Sequence, residues 1–355
     1  MSPLGTLRPA AAAPGLEHAH ALDPRYYVED GWLDHELRHV FRAGWQWAGT
    51  RSTLAKPGDY LTADLPGGSA VIVMREDGQL AAYRNLCRHR AGPLAEGCGN
   101  AGRLRCRYHG WTYGLDGQLR SAPEMGTAQG FDPADYPLYP VGVAEFQSHV
   151  FVALAPAQAP PFTDMAAGIA ERIAPETLAG MELHSTQTYE VECNWKVYVD
   201  NYLEGYHVPY VHPALVGPID YGQYITELAE WSSLQHTAVA DDDPAYGGGR
   251  MWYYFVWPNT MLNVVSGRLQ LNQVVPLGPR RTRVLFGNFY TPEAVTRAEA
   301  DLAFTATVQE EDAAICAAVD RNLRAGIYTP GRLSPRREAG VWHFQSLLRA
   351  AYARA

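Results

Sequence analysis

Residues 194–212 read Asn-Trp-Lys-Val-Tyr-Val-Asp-Asn-Tyr-Leu-Glu-Gly-Tyr-His-Val-Pro-Tyr-Val-His. This places Glu204, His207 and His212 within nine residues, with Asp200 one helical turn upstream. A mononuclear non-heme iron takes two imidazoles and one carboxylate and keeps coordination positions open. Two such imidazoles are at hand here, so a distant part of the chain must be folded back to complete the set. A helix is expected over residues 194–206, on which Asp200, Glu204 and His207 share a face at spacings of four and three. An unbroken helix would turn His212 away from His207. Pro209 is therefore expected to interrupt it, and a bent segment after Val208 to bring both imidazoles to one ion.

A second constellation lies upstream. Cys87-Arg-His89 is followed, after sixteen intervening residues, by Cys106-Arg-Tyr-His109. Each stretch offers one thiolate and one imidazole. In a Rieske [2Fe–2S] centre two cysteines hold one iron and two histidines the other. A Cys2His2 zinc site is the competing use of these residue types. The first pair is Cys-x-His rather than Cys-x-x-Cys, and Gly110-Trp-Thr-Tyr-Gly114 follows the second, which favours the cluster. Residues 45–49, 59–63, 70–74, 80–84 and 150–154 read as strands separated by Gly, Pro and Asp, so a small antiparallel β domain is expected around these loops.

At 355 residues, two domains are expected. Residues 1–22 read as a disordered arm, 23–44 as an N-terminal helical segment, 45–154 as the cluster-bearing domain, 155–161 as a stiff linker with three prolines, and 162–355 as a catalytic domain. In that last part, residues 182–191, 250–257, 261–265, 269–275 and 283–290 read as strands, and a long last helix is expected from near Pro292 through Cys316. It carries Glu310, Glu311 and Asp312, a run that is ordinarily a solvated face. Long antiparallel strands followed by a helix imply an α+β fold.

A net charge of −9 argues against nucleic acid and anionic membrane surfaces as partners. No run of about 18 apolar residues points to a membrane span. The five cysteines, Cys87, Cys98, Cys106, Cys193 and Cys316, are an odd, sparse set that suits a reducing cytoplasm better than a disulfide framework.

The Cys-x-His-Arg and Cys-x-Tyr-His-Gly-Trp-x-Tyr stretches resemble the Rieske domains of non-heme iron oxygenases of the aromatic-ring-hydroxylating α-subunit superfamily. Electron-transport Rieske proteins carry a further, disulfide-paired cysteine in each loop; here Cys98 has no counterpart in the second loop. The pattern from Asp200 to His212 is similar to the family's acidic-x3-acidic-x2-His-x4-His motif. Trp257-Pro-Asn-Thr-Met-Leu-Asn263, Val275-Pro-Leu-Gly-Pro279, Glu311-Asp312-x3-Cys316, Tyr328-x2-Gly-Arg332 and Trp342-His-Phe344 resemble the choline monooxygenase-like branch, which includes carnitine and glycine-betaine oxygenases.

The resemblance implies a helix-grip catalytic domain, a Rieske [2Fe–2S] cluster on Cys87, His89, Cys106 and His109, and a mononuclear Fe(II) on His207, His212 and Asp312. Glu311 is the alternative third ligand. Glu204 is implied as the bridge between that iron and the cluster of a neighbouring subunit, although many relatives carry Asp there; by geometry alone Glu204 can also be a metal ligand. The resemblance also implies a head-to-tail homotrimer, or a hexamer of stacked trimers, in which one subunit's cluster meets the next subunit's iron. Dioxygen is the implied co-substrate. Electrons would come from NAD(P)H through a separate flavin- and iron–sulfur-containing reductase, with or without a ferredoxin, since no Gly-x-Gly-x-x-Gly follows a strand in this chain.

The expected activity is hydroxylation, and through it N-demethylation, of a small quaternary or methylated ammonium compound such as choline, betaine or carnitine. Tyr202, Tyr206, Trp252, Tyr254, Trp257 and Asn263 are candidates for the pocket, because aromatic faces hold such cations at about 0.5–2 kcal/mol per contact. Aromatic residues also simply pack in strands. The first alternative is an aromatic or heterocyclic ring as substrate, favoured if Arg268 faces the iron. The second is a Rieske electron-transfer protein with no oxygenase activity.

Overall fold

The computed structural model describes residues 15–215, 219–239 and 248–354. The chain forms two compact units, Phe41–Phe162 and the combination of Met1–Val40 with Thr163–Ala355. The fold is α+β: small antiparallel sheets make the first unit, and a large antiparallel sheet with helices makes the second.

The N-terminal helices α1 (Arg25–Val28) and α2 (Trp32–Glu36) are built into the larger unit. A buried charge holds them there. The Glu36 carboxylate is fully enclosed and accepts hydrogen bonds from Lys196 Nζ, Trp195 Nε1 and Tyr352 OH, each at 2.6 Å. A buried carboxylate is tolerated only when paired in this way. Residues 15–22, expected as part of a disordered arm, are ordered. The Ala21 N–H donates to the Gly331 carbonyl at 2.9 Å, the Leu333 N–H to the Ala19 carbonyl at 3.1 Å, and Leu22 is buried. Main-chain pairing of this kind leaves no periodic signal. Residues 1–14 of that arm lie outside the described residues.

The smaller unit holds β1 (Trp45–Thr50), β2 (Asp59–Leu65), β3 (Gly68–Met74), β4 (Leu80–Arg84), β5 (Cys98–Asn100), β6 (Arg103–Arg105), β7 (Thr112–Gly114), β8 (Leu119–Ser121), β9 (Gly142–Phe146) and β10 (His149–Ala153). They form three antiparallel sheets, ordered β1-β10-β9, β4-β3-β2-β5 and β6-β7-β8. The run from Ala70 to Met74 in β3 is buried on both sides and centres the core. Strands β5 to β8, three residues each, escape sequence reading because alternation needs about four residues to show. Residues 155–161 are no free linker. The Ala155 N–H donates to the Arg42 carbonyl at 2.7 Å, and the Pro160 carbonyl accepts from Trp45 Nε1 at 2.9 Å.

Next in the chain come α3 (Phe162–Met165) and α4 (Ile169–Ile173), then β11 (Glu182–Val191), α5 (Trp195–Tyr202) and α6 (Val208–Val211). After them run β12 (Ile225–Leu228), β13 (Ser232–Val239), β14 (Gly249–Val256), β15 (Thr260–Val265), β16 (Arg268–Gly278) and β17 (Arg281–Tyr290), followed by α7 (Ala298–Arg324) and α8 (Ala339–Tyr352). The seven strands make one antiparallel sheet, β11-β17-β16-β15-β14-β13-β12. Helix α5 packs on β16, β17 and α7, so the sheet grips the two helices that carry most of the chemistry. The expected last helix is α7, which starts at Ala298 after a 3-10 turn and is not the last: α8 follows and packs on β12 and β13. Gly340 opens α8 against the end of α5, where a Cβ would collide with the Leu203 carbonyl oxygen.

Candidate metal centres

In the smaller unit Cys87 and Cys106 are buried while His89 and His109 are exposed. The two loops are built alike. The Ala91 N–H donates to the Cys87 carbonyl and the Gly110 N–H to the Cys106 carbonyl, both at 2.9 Å. The imidazoles stand side by side with ring centres 4.7 Å apart, and His89 stacks on Trp111 at 5.0 Å. The Tyr113 hydroxyl lies 3.3 Å from Cys87 Sγ and accepts from the Arg88 N–H at 3.1 Å. At Gly92 a Cβ would stand 2.9 Å from Cys106 Sγ, so only glycine leaves the thiol its space. Two thiols inside, two imidazoles outside and a cleared cradle fit a [2Fe–2S] group with one iron on sulfur and one on nitrogen. Burial raises the Cys87 thiol above its ordinary pKa, a cost that a coordinated metal removes.

The expected continuous helix through residue 206 is not formed. Helix α5 ends at Tyr202, and Glu204 then turns the chain: its carboxylate accepts from the N–H of Tyr206 and, at 3.1 Å, from that of His207. These are donors that a starting helix leaves unsatisfied. Helix α6 follows with His207 as its N-cap and Pro209 in its first turn. Pro209 thus sits at the start of a helix, where proline is well tolerated, and does not break one. The bend lies earlier, at Leu203–Gly205, so Asp200, Glu204 and His207 do not share a single helical face.

This bend brings His207 and His212 to Asp312 on α7. Their ligand atoms lie within 4.8 Å of one another, the only such group among the described residues. Asp312 Oδ1 is 3.0 Å from His212 Nε2 and 3.7 Å from His207 Nε2. The outer nitrogens are engaged by other carboxylates: His207 Nδ1 by Glu204 at 2.6 Å and His212 Nδ1 by Glu311 at 2.7 Å. Asn201 Nδ2 donates to Asp312 Oδ1 at 2.7 Å. Both Nε2 atoms therefore face Asp312, while Glu204 and Glu311 stand behind the rings. Outer carboxylates of this kind fix ring orientation and basicity at metal sites. Burial lowers the His212 pKa, but Asp312 and Glu311 together outweigh it and hold the imidazole above its ordinary value. Metal uptake there must displace that proton and so strengthens as pH rises.

Two cavities flank this group. One, of about 490 Å³, is lined by Tyr27, Asp200, Asn201, Glu204 and His207. The other, of about 100 Å³, is lined by Tyr198, Tyr202, Tyr253, Asn263, Phe304 and Asp312, with amides from β16 and α7. Of the expected pocket residues, Tyr202 and Asn263 line it and are joined by a 2.6 Å hydrogen bond. Trp252 and Tyr254 do not: Tyr253 lies between them, and side chains alternate across a strand. Trp257 packs at 6.0 Å on Phe344, and Tyr206 is about half exposed. Arg268 does line this cavity, but it is paired with Asp301 at 2.7 Å. Sequence reading missed Tyr253, Gln270, Asn272, Phe304 and Gln309. A signal existed for two of them, since Leu269-Gln-Leu-Asn272 alternates apolar residues with amides, as a strand facing a polar cavity would.

The Rieske [2Fe–2S] domain family matches residues 44–140, and the ring hydroxylating alpha subunit (catalytic domain) family matches residues 178–354. Choline monooxygenase of Beta vulgaris is 32% identical over 94% of this chain and 78% of its own length. The chain belongs to the Rieske non-heme iron oxygenase family. The carnitine monooxygenase oxygenase subunit of Acinetobacter baumannii is 28% identical, over 91% of this chain and 92% of its own. A quaternary ammonium Rieske monooxygenase solved in complex with L-carnitine superposes with a TM-score of 0.82 at 28% identity, covering 95% of this chain and 97% of that one. Its two domains imply that this oxygenase carries a [2Fe–2S] cluster and a non-heme iron. Among the described residues no helix is long and apolar enough to cross a membrane.

Asp200 of the oxygenase is partly buried, with Tyr27 OH donating to it at 2.5 Å and Gln345 Nε2 at 3.1 Å. Burial pushes its carboxyl up to about 7 from an ordinary 3.8, against the opposing pull of those two donors. The folded state thus holds a proton that the unfolded chain has released, and stability is lost as pH rises from about 4 to about 7. Asp200→Asn is expected to remove this slope, worth on the order of a few kcal/mol at most. Its melting temperature relative to wild type will climb across that window; parallel melting curves would show that Asp200 ionises freely.

Proposed function

We propose that this chain is the terminal oxygenase of a system that hydroxylates a small methylated ammonium compound, and demethylates it where the hydroxylated carbon is an N-methyl. The observation that carries this reading is the aromatic-walled cavity beside Asp312 in a chain so similar to choline and carnitine monooxygenases. The Arg268–Asp301 pair supports it over an aromatic acid, because the only guanidinium lining that cavity among the described residues is neutralised by a carboxylate.

In this reading His207, His212 and Asp312 hold the iron, and Cys87, His89, Cys106 and His109 hold the cluster. When bound, the iron supplies the site of dioxygen reduction and the cluster supplies electrons. The chain's own residues position both. Asn201 pins the inner oxygen of Asp312, and Glu204 and Glu311 keep protons on the outer nitrogens so that both Nε2 atoms stay free for metal. Tyr198, Tyr202 and Tyr253 line the cavity and would offer aromatic surface to a cation while excluding water.

Glu204 has a second role as a bridge for electrons from a neighbouring copy. It lines the larger cavity, whose rim exposes Ile315, Val319 and Tyr328, and this suits docking of another copy's Rieske loops in a head-to-tail homotrimer. The outward placement of His89 and His109 suits the same transfer. NAD(P)H would feed it through a separate flavin and iron–sulfur reductase, and five free cysteines suit a cytoplasmic setting.

The test is a product assay. Holoenzyme, a surrogate reductase, NADH and ¹⁸O₂ are incubated with choline, glycine betaine, carnitine, stachydrine and a panel of aromatic acids, and products are read by mass spectrometry. Labelled or demethylated product from a methylammonium compound is expected. Turnover of aromatic acids alone would overturn the substrate reading.

A further inference from the structure

We infer that Gln309 and Asn272 form a hydroxyl-recognition subsite, so that the substrate of this oxygenase is a methylammonium compound bearing a hydroxyl group. The inference rests on the methylammonium reading above and narrows it.

The polar wall of the cavity beside Asp312 is almost entirely satisfied from within. Tyr202 OH donates to Asn263 Oδ1 at 2.6 Å, Asn263 Nδ2 to Gln270 Oε1 at 3.1 Å, and Gln270 Nε2 to Thr305 Oγ1 at 3.2 Å and Asn288 Oδ1 at 3.3 Å. Two atoms stand outside this network. Gln309 accepts from Tyr198 OH at 2.6 Å through its Oε1, but its Nε2 has no partner among the described residues. Asn272 Oδ1 has none either. Both side chains are only 3% exposed, and both line the cavity. Buried amide atoms left unpaired are costly, and native structures seldom keep them without a reason.

Their chemistry selects the ligand. Gln309 Nε2 is a donor and Asn272 Oδ1 an acceptor. A hydroxyl matches both, able to accept from the first and to donate to the second. A carboxylate has no hydrogen to give Asn272, and a trimethylammonium group has neither capability. The position is right as well. Gln309 precedes Asp312 by three residues on α7, a rise of about 4.5 Å along the helix, so a group held there leaves its neighbouring carbons at the metal end.

The experiment compares hydroxylated and deoxy substrates of matched shape: choline against n-propyltrimethylammonium, and carnitine against γ-butyrobetaine. Holoenzyme is used throughout, with kcat/KM from product formation and affinities from anaerobic calorimetry. Wild type is expected to favour the hydroxylated member roughly 10- to 100-fold. Gln309→Met and, independently, Asn272→Leu should bring that ratio close to one by weakening the hydroxylated member alone, in affinity as well as in kcat/KM. Either variant suffices if the other does not fold. A wild-type ratio near one, an unchanged ratio in a folded variant, or a preference for glycine betaine over both hydroxylated compounds overturns the subsite. Those results leave the methylammonium reading intact, whereas turnover of no methylammonium compound sinks both.

Discussion

Asp312→Ala will retain the visible absorption of the cluster, lose the mononuclear iron and form no product. Glu311→Ala will retain both metals, with metal affinity or activity lower by roughly 10- to 100-fold. The two carboxylates are adjacent on α7, yet they meet opposite sides of the same imidazole: Asp312 faces His212 Nε2 at 3.0 Å and Glu311 faces Nδ1 at 2.7 Å. In the proposed assignment, removing the first deletes a ligand and removing the second only frees the ring to turn. Iron analysis of purified protein reads the difference, with about three irons per chain falling to about two in the first variant. If Glu311→Ala loses iron while Asp312→Ala keeps it, the roles are inverted.

Glu36→Ala will destabilise the protein by about 3–5 kcal/mol. The truncation strands Lys196, fully buried, without its countercharge and leaves Trp195 Nε1 and Tyr352 OH without their acceptor. Burial already holds the Lys196 pKa below its ordinary value against the pull of Glu36. Pairing Glu36→Gln with Lys196→Met should recover most of the loss, because no charge then remains buried without a partner. Denaturant unfolding of the loaded protein measures both, and a single variant as stable as wild type would show that the pair contributes nothing.

The two metal motifs were legible because ligands close in sequence leave a spacing, as in Cys87-Arg-His89 and in His207 with His212. Asp312 was reachable only through resemblance, since three consecutive acids on a helix look alike until the fold decides which faces inward. The long strands were legible from their apolar runs. Their facing was not: Trp252-Tyr-Tyr-Phe-Val-Trp257 is apolar at both parities, so nothing in it says that Tyr253 rather than Tyr254 meets the cavity. The end of α5 was equally hidden, because it depends on Glu204 reaching forward to two backbone N–H groups. The place of the N-terminal segment rests on Glu36 meeting Lys196 from 160 residues away.

Thr305, Gln309 and Asp312 mark successive turns along one face of α7, and all three line the cavity. A single helix thus presents Asp312 to the two histidines and, one and two turns earlier, two further positions that face the cavity. Changing the residue at 305 is expected to alter how long a molecule the cavity accepts while leaving Asp312 in place. Specificity in such a scaffold can drift one helical turn at a time, while Asp312 keeps its place beside the two histidines.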